Sequence, residues 1–400
     1  MKEYCLKNII RIKHGFAFDG EHISQDDNGI VLVTPGNFKI GGGFQEDKCK
    51  FYTGEIPSEY ILKPGSYIVT MTDLSKNIDT LGYSAIVPNT QRLYLHNQRI
   101  GLIEFISEAC NERYIYYLLQ THQYQRTIAN SSTGSTVHHT SPSKICDYKF
   151  FAPDIRAQKK IADILSAYDD LIENNRKQIK LLEEAAQRLY KEWFVDLCFP
   201  GHEYTKVVDG VPEGWRKTTL DEICSVRKET LAPNKIDIGT PYIGLEHMPR
   251  KDICLSKWGN SSEISSNKFR YYEDDILFGK IRPYFHKVGF ALNSGVTSTD
   301  AIVLKSTKGL WSFLLMTVSS SEFVSYTYQN CKEGAKMPRA DWKQMKSYPI
   351  MIADRTIQST FEEQIYAITR KIKVLALQIN WLSEARDRLL PKLMSGEVEM

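Results

Sequence analysis

Residues Asp154–Leu197, DIRAQKKIADILSAYDDLIENNRKQIKLLEEAAQRLYKEWFVDL, and Asp354–Leu393, DRTIQSTFEEQIYAITRKIKVLALQINWLSEARDRLLPKL, decide how this chain is built. In the first stretch Ile161, Leu165, Tyr168, Ile172, Asn175, Ile179, Leu182, Leu189 and Trp193 recur in steps of three, four and seven. That is the spacing of one seam along an α-helix. In the second stretch Phe361, Ile365, Ile368, Ile372, Leu375, Ile379, Leu382, Leu389 and Leu393 each stand 200 residues after their twins. The same offset joins Asp154 to Asp354, Gln158 to Gln358, Glu184 to Glu384 and Arg188 to Arg388. Agreement of that length marks the duplication of a long helix.

Each copy opens on an aspartate where an N-cap belongs, able to accept from the first free N–H groups and to face the positive end of the helix dipole. A helix from Ile155 to Trp193 would run roughly 57 Å at ~1.5 Å per residue. With charges such as Lys177, Lys180, Glu183 and Glu184 off the seam, it cannot bury its apolar stripe alone. The second copy is a partner of matching length, so the spacing predicts a parallel or antiparallel pair joining two similar domains. Asn175 on the seam is a device for fixing register. Near the end, helical drift predicts that Ala185 and Ala385, rather than Ala186 and Arg386, take over the seam. Pro391 predicts a kink or a stop, and Gly396 suits the exit.

Four hundred residues, 42% hydrophobic and 25% charged, describe a globular chain of two or three domains. No apolar run reaches membrane-spanning length, and Met1-Lys2-Glu3-Tyr4 does not open a signal-peptide core. Eight cysteines without a Cys-x-x-Cys pair point to reduced thiols in the cytoplasm and away from structural zinc. The net charge of +3 is unevenly spread: residues 1–150 carry 15 basic and 15 acidic side chains, residues 200–353 carry 21 and 17. Nucleic-acid binding would therefore come from local patches or from a partner's charge.

Before the first helix, strand-like runs (Ile30–Thr34, Tyr67–Thr72, Ser84–Val87, Arg99–Phe105) alternate with turns, and helical signal is confined to about 109–129. Residues 130–143, rich in Ser, Thr, Gly and His, read as a loop, and 198–215 have linker composition. Echoes of this domain follow the linker. Leu220-Asp221-Glu222-Ile223 matches Leu6-Lys7-Asn8-Ile9, and Thr240-Pro241 weakly matches Thr34-Pro35. Asp274-Asp275-Ile276-Leu277 matches Gly65-Ser66-Tyr67-Ile68, while Gly334-Ala335 and Tyr348 stand 200 residues after Gly134-Ser135 and Tyr148. The fold class is α+β: two similar mixed α/β domains separated and joined by two long paired α-helices, an internal repeat with pseudo-twofold character.

Catalytic constellations are scarce. There is no Gly-rich phosphate loop ending in Lys-Ser/Thr, no Asn/Asp-Pro-Pro-aromatic tetrad and no Gly-rich cofactor turn. Pro153-Asp154 with Lys159 and Lys160 has a nuclease-like composition, yet the aspartate is needed as a cap and Asp354 has no such lysines. His138-His139 has no acidic or Cys partner at a metal-ligand spacing. What remains are basic and aromatic loops. In the second domain Lys280, Arg282, Tyr284 and His286 lie in one ten-residue run, followed by Lys336, Arg339 and Lys343. In the first, Lys76, Arg92 and Arg99 precede Thr136, His138, His139 and Lys144. Such side chains grip guanine, reach phosphates or pack on sugars.

Several segments together resemble the specificity subunits of type I restriction-modification systems over essentially the whole chain. They are Ala152-Pro153-Asp154-Ile155 leading into Gln158–Leu165, the helix to Trp193, Gly334–Pro349, Asp275–Tyr284, and the ending Leu389–Val398. The usual Pro-Pro-x-x-Glu-Gln lead-in is replaced by Pro153-Asp154 with Ala157-Gln158 and by Ala353-Asp354 with Ile357-Gln358. The resemblance implies target-recognition domains at 1–152 and 199–352, held apart by conserved helices at 153–198 and 353–400. Each domain would read one part of a bipartite target in double-stranded DNA. It further implies a non-catalytic chain without cofactor. Two methyltransferase subunits and the restriction subunits would dock on it and hold the S-adenosylmethionine, ATP and Mg. Two rival readings are a self-sufficient DNA-cleaving or DNA-modifying enzyme and a coiled-coil interaction protein with no DNA role.

Overall fold

The computed structural model describes residues 1–75, 77–331 and 337–398; Lys76, Lys336 and the Gly334-Ala335 match lie outside them. The chain divides into two compact units, Met1–Asp170 with Leu382–Met400, and Leu171–Trp381.

In the first unit the runs with β-branched and aromatic alternation form two sheets. Ile10–His14, Ile100–Phe105, Tyr67–Thr70 and Ser84–Ile86 make an antiparallel four-stranded sheet. Ile23–Ser24, Lys50–Tyr52, Ile30–Val33, Leu93–His96 and Ile61–Leu62 make a five-stranded one, with Ile30–Val33 parallel to Leu93–His96. The expected helical stretch divides into Glu112–Leu118 and His122–Asn130, capped by the side chains of Asn111 and Thr121. Lys2–Cys5 pairs with Lys149–Ala152 just before the first long helix.

The second unit repeats this plan. Cys224–Arg227, Ala301–Ser306, Ile276–Gly279 and Val288–Ala291 form the first sheet, extended by Cys254–Leu255. Gly259–Asn260, Pro241–Ile243, Gly295–Thr297, Lys268–Tyr271 and Thr230–Leu231 form the second, again with one parallel pair, Pro241–Ile243 beside Gly295–Thr297. Arg216–Thr219 pairs with Pro349–Ile352. The Leu6/Leu220 match holds in detail: both residues are fully buried at the start of a 3-10 turn, and their N–H groups donate to Tyr148 O and Tyr348 O, each at 3.0 Å. The Thr34-Pro35 match does not. Its counterpart is Gly244-Leu245, because in both places a parallel strand ends in a 3-10 turn whose third residue, Asn37 or His247, accepts from the N–H that opens the turn. The expected linker is ordered, with Phe199 and Trp215 buried against each other at 4.6 Å.

The two seams form continuous helices, Ile155–Tyr190 running into a π-turn at Lys191–Val195, and Arg355–Ser395. Asp154 Oδ1 accepts from Ala157 N at 2.9 Å, and Asp354 Oδ1 from Thr356 N and Ile357 N at 2.8 and 3.2 Å. The stretches run antiparallel within each unit. In the second unit Asn175 donates to Gln378 at 3.3 Å while Phe361 packs on Trp193 and Phe194 at 5.8 and 4.8 Å. In the first unit Asp169 meets Arg386 at 2.6 Å, and Leu165 shares a core with Leu393.

Seam residues also bury into the domains. Ile161 and Leu165 join Leu6 and Tyr114 in one core, and Phe361, Ile365 and Ile372 join Phe313 in another. Tyr168, Ile179, Leu182, Leu189, Ile368, Ile379, Leu382 and Leu389 are half-buried, whereas Ile172, Asn175 and Leu375 are buried.

Three expectations are corrected. Ala186, fully buried, takes the seam while Ala185 is exposed, because Leu182, Ala186 and Tyr190 keep four-residue steps. Glu183 is buried rather than solvated, its carboxylate accepting from Ile253 N at 2.9 Å. Pro391 does not stop the second helix but lies inside it. Only about one turn follows it, and that turn is held by the buried Leu393 and Met394, which offsets the lost N–H.

Candidate nucleic-acid interface

The two units build one backbone node from different side chains. In the first unit Met71 N donates to Arg99 O at 2.9 Å and Met71 O accepts from Thr140 N at 3.0 Å. In the second, Lys280 N donates to Asp300 O at 2.8 Å and Lys280 O accepts from Ala340 N at 2.9 Å. Each node ties the loop leaving a central strand (Tyr67–Thr70 or Ile276–Gly279) to the loop that leads toward a long helix. The residues that follow keep step. Thr72 and Asp73 pair with His139 and His138, while Ile281 bridges Arg339. Candidate residues far apart in sequence thus converge: Arg99 with His138 and His139, and Lys280 and Arg282 with Arg339.

In the first unit the loop is organised by Asp73. Its Oδ1 accepts from Ser75 N at 2.6 Å, and its Oδ2 from Thr80 Oγ1 and Leu81 N at 2.7 and 3.0 Å. Burial would raise this carboxyl, but the Ser75 and Thr80 donors outweigh it and hold it below its ordinary value. His139 is exposed, with Nδ1 3.1 Å from Thr72 Oγ1, and Thr136 is exposed too. Arg99 is exposed and makes no ion pair among the described residues. Two expected donors are spent internally. Arg92 pairs with Asp27 and, at 3.4 Å, with Glu46, and Lys144 Nζ donates to Ser131 O.

In the second unit Lys280 Nζ donates to Thr299 O at 2.6 Å and is held below its ordinary value by burial, with Asp300 opposing and Arg339 adding. Arg339 pairs with Asp300 at 3.0 Å. Lys280 and Arg339 line a cleft of about 730 Å³ that also includes Phe269 and Trp342. Lys343 is exposed on the short helix Trp342–Met345.

Arg282 opens a 3-10 turn, Pro283–Phe285, that His286 closes. Both flanking residues have φ of 51°, a left-handed conformation that costs a side-chain-bearing residue roughly 1–2 kcal/mol. The turn is over-determined by Arg282 N donating to Pro338 O at 2.8 Å, Lys251 N donating to His286 O at 2.9 Å, and the His286 ring against Ser319 O at 2.7 Å. His286, expected to reach phosphate, is therefore buried as an anchor; burial holds its pKa below the ordinary value. Tyr284 is 47% exposed, edge-on to Phe285 and Tyr328. Arg282 has no carboxylate partner among the described residues and lies 5.8 Å from the centre of the Phe285 ring.

Sequence reasoning missed the residues that position these loops. Asp73 is one. Also missed was Glu362, whose two carboxylate oxygens accept from Ser312 N and Phe313 N at 2.8 and 2.9 Å, capping the helix Trp311–Val318. In the first unit that duty falls to Gln158, which accepts from Asn111 N at 2.9 Å. Among the described residues no group of three His, Cys, Asp or Glu side chains could hold a metal ion, and no helix is long and apolar enough to cross a membrane. All eight cysteines are free.

Residues 1–184 match the family model of the type I restriction modification DNA specificity domain. The chain is 27% identical to the type I restriction enzyme MjaIX specificity subunit of Methanocaldococcus jannaschii over 305 residues, 72% of this chain and 69% of that one. It is 24% identical to the HindI specificity subunit of Haemophilus influenzae, covering 84% and 85% of the two chains. In fold it is similar to the crystal structure of the type I restriction-modification S subunit from M. genitalium. That match has a TM-score of 0.60 and 14% identity, over 98% of this chain and 96% of that one. Over its first 184 residues the chain thus matches the type I restriction modification DNA specificity domain, and over most of its length it is similar to specificity subunits of type I restriction enzymes.

Proposed function

We propose that this chain reads the DNA target of a type I restriction-modification assembly and carries no catalysis of its own. The target is bipartite, one half for each unit. Methyltransferase subunits, two in number, and restriction subunits assemble on the chain in the cytoplasm and bring S-adenosylmethionine, ATP and Mg. The carrying observation is the repeated node, with Met71 in one unit and Lys280 in the other. One scaffold displays the exposed His139 in the first case, and Arg282, without a carboxylate partner among the described residues, in the second. Base edges are told apart by donor and acceptor pattern, so equivalent loops with unlike side chains suit unlike half-sites.

The test is selection from a pool of randomised duplexes by the chain assembled with its methyltransferase subunits. The expected product has two specified segments around an unspecified spacer, and replacing residues 133–140 changes one segment only. A single contiguous motif, or cleavage or methylation by the purified chain alone, would reject the proposal.

A further inference from the structure

Among the arginines of residues 199–352, sorting by partner isolates a pair; Arg216 is bound to Glu222. Arg227 is bound to Asp275, Arg270 to Glu229 and Arg339 to Asp300. Arg250 and Arg282 have no carboxylate among the described residues, yet both guanidinium groups lie against one ring, Phe285, at 4.0 and 5.8 Å from its centre. Arg250 reaches this place from a distant stretch of chain. Lys251 turns left-handed, at φ 69°, and its N–H donates to His286 O, which ties the 250–251 corner to the Arg282–His286 turn. Lys287 lies near Arg250, its Nζ already committed to Leu245 O at 2.6 Å, and the Glu246 carboxylate lies near it too. The two guanidinium groups on Phe285 carry like charge and repel. A strained frame that holds them together is suited to a ligand rich in acceptors.

We propose that Arg250 is a specificity-determining residue that works with Arg282: the Phe285 ring holds both planar forks ready, and Arg250 grips the O6 and N7 of a guanine next to the base pair that Arg282 reads. This rests on the DNA-reading function proposed above. Stacking on the ring fixes the guanidinium plane before binding, so little rotamer freedom is lost on contact. Lysine, a point charge without the fork, cannot replace it.

The assembled wild-type complex first defines its own target from a randomised duplex pool; absence of any preferred sequence there would sink the DNA-reading function itself. Arg250→Ala, Arg250→Lys and Phe285→Leu are then titrated against that target and its single-position variants. At one G·C pair in one segment, discrimination should fall about ten- to hundredfold in all three variants, with non-specific affinity of Arg250→Lys unchanged. Discrimination kept by Arg250→Lys would make Arg250 a phosphate contact and overturn the proposal. So would an equal loss on every sequence, or no loss at all. Phe285→Leu keeps an apolar side chain in the turn, and circular dichroism of each variant separates lost reading from lost folding.

Discussion

Met71 and Lys280 occupy the same node in the two units, each donating to one neighbouring strand end and accepting from the residue just past the pre-helical loop, Thr140 or Ala340. Two positions further on, that common frame displays Asp73, folded into its own loop, or Arg282, without a carboxylate partner. The backbone frame is thus common to the two units while the side chains it carries differ.

Arg282 and Arg339 should therefore behave differently when truncated. Arg282→Ala should relax one half-site by about 1–3 kcal/mol. Arg339→Ala, which only releases Asp300, should change sequence preference far less. Competition binding against single-position target variants measures both; equal effects would refute the division.

Glu183 makes stability pH-dependent. Burial, with Asp252 adding to it, pushes its carboxyl up to about 8 against the pull of the Ile253 and Cys254 N–H groups. An unfolded glutamate titrates near ~4.3. Between these values the folded chain binds the proton more tightly, so the contribution present at low pH is lost as pH rises through about 8. The loss should be on the order of 5 kcal/mol at most. Glu183→Gln should flatten it, as read from denaturation midpoints across the pH range.

Breaking the Asp169–Arg386 pair should destabilise the first unit. Asp169 also accepts from Tyr117 OH at 2.7 Å, and burial together with Asp169 raises the tyrosine pKa. Arg386→Ala leaves that half-buried carboxylate short of a partner and should cost about 2 kcal/mol. Urea unfolding measures it, and Arg386→Met with Asp169→Asn should recover part of the loss.

Phe361→Ala should be among the most damaging substitutions in the second unit. The ring is fully buried among Trp193, Phe194 and Phe313. A cavity there should cost about 3–5 kcal/mol, visible as a lowered midpoint in thermal or chemical unfolding.

What the sequence by itself determined was periodic and local. The step pattern of Ile161–Trp193 and its twin, the Asp154 and Asp354 caps, the strand runs and the offset of 200 all follow from rules acting within a few residues or between identical copies. What only the tertiary structure decided was the state of each charged side chain. Arg92 is quenched by Asp27, 65 residues away, and Arg339 by Asp300, 39 residues away. Glu183 is buried because Ile253, 70 residues on, brings an N–H to it, and Arg250 stands ready because Phe285 lies beneath it. Pairing and burial depend on neighbours that the chain delivers from afar, so no local pattern could separate an arginine that reads from one that is already satisfied.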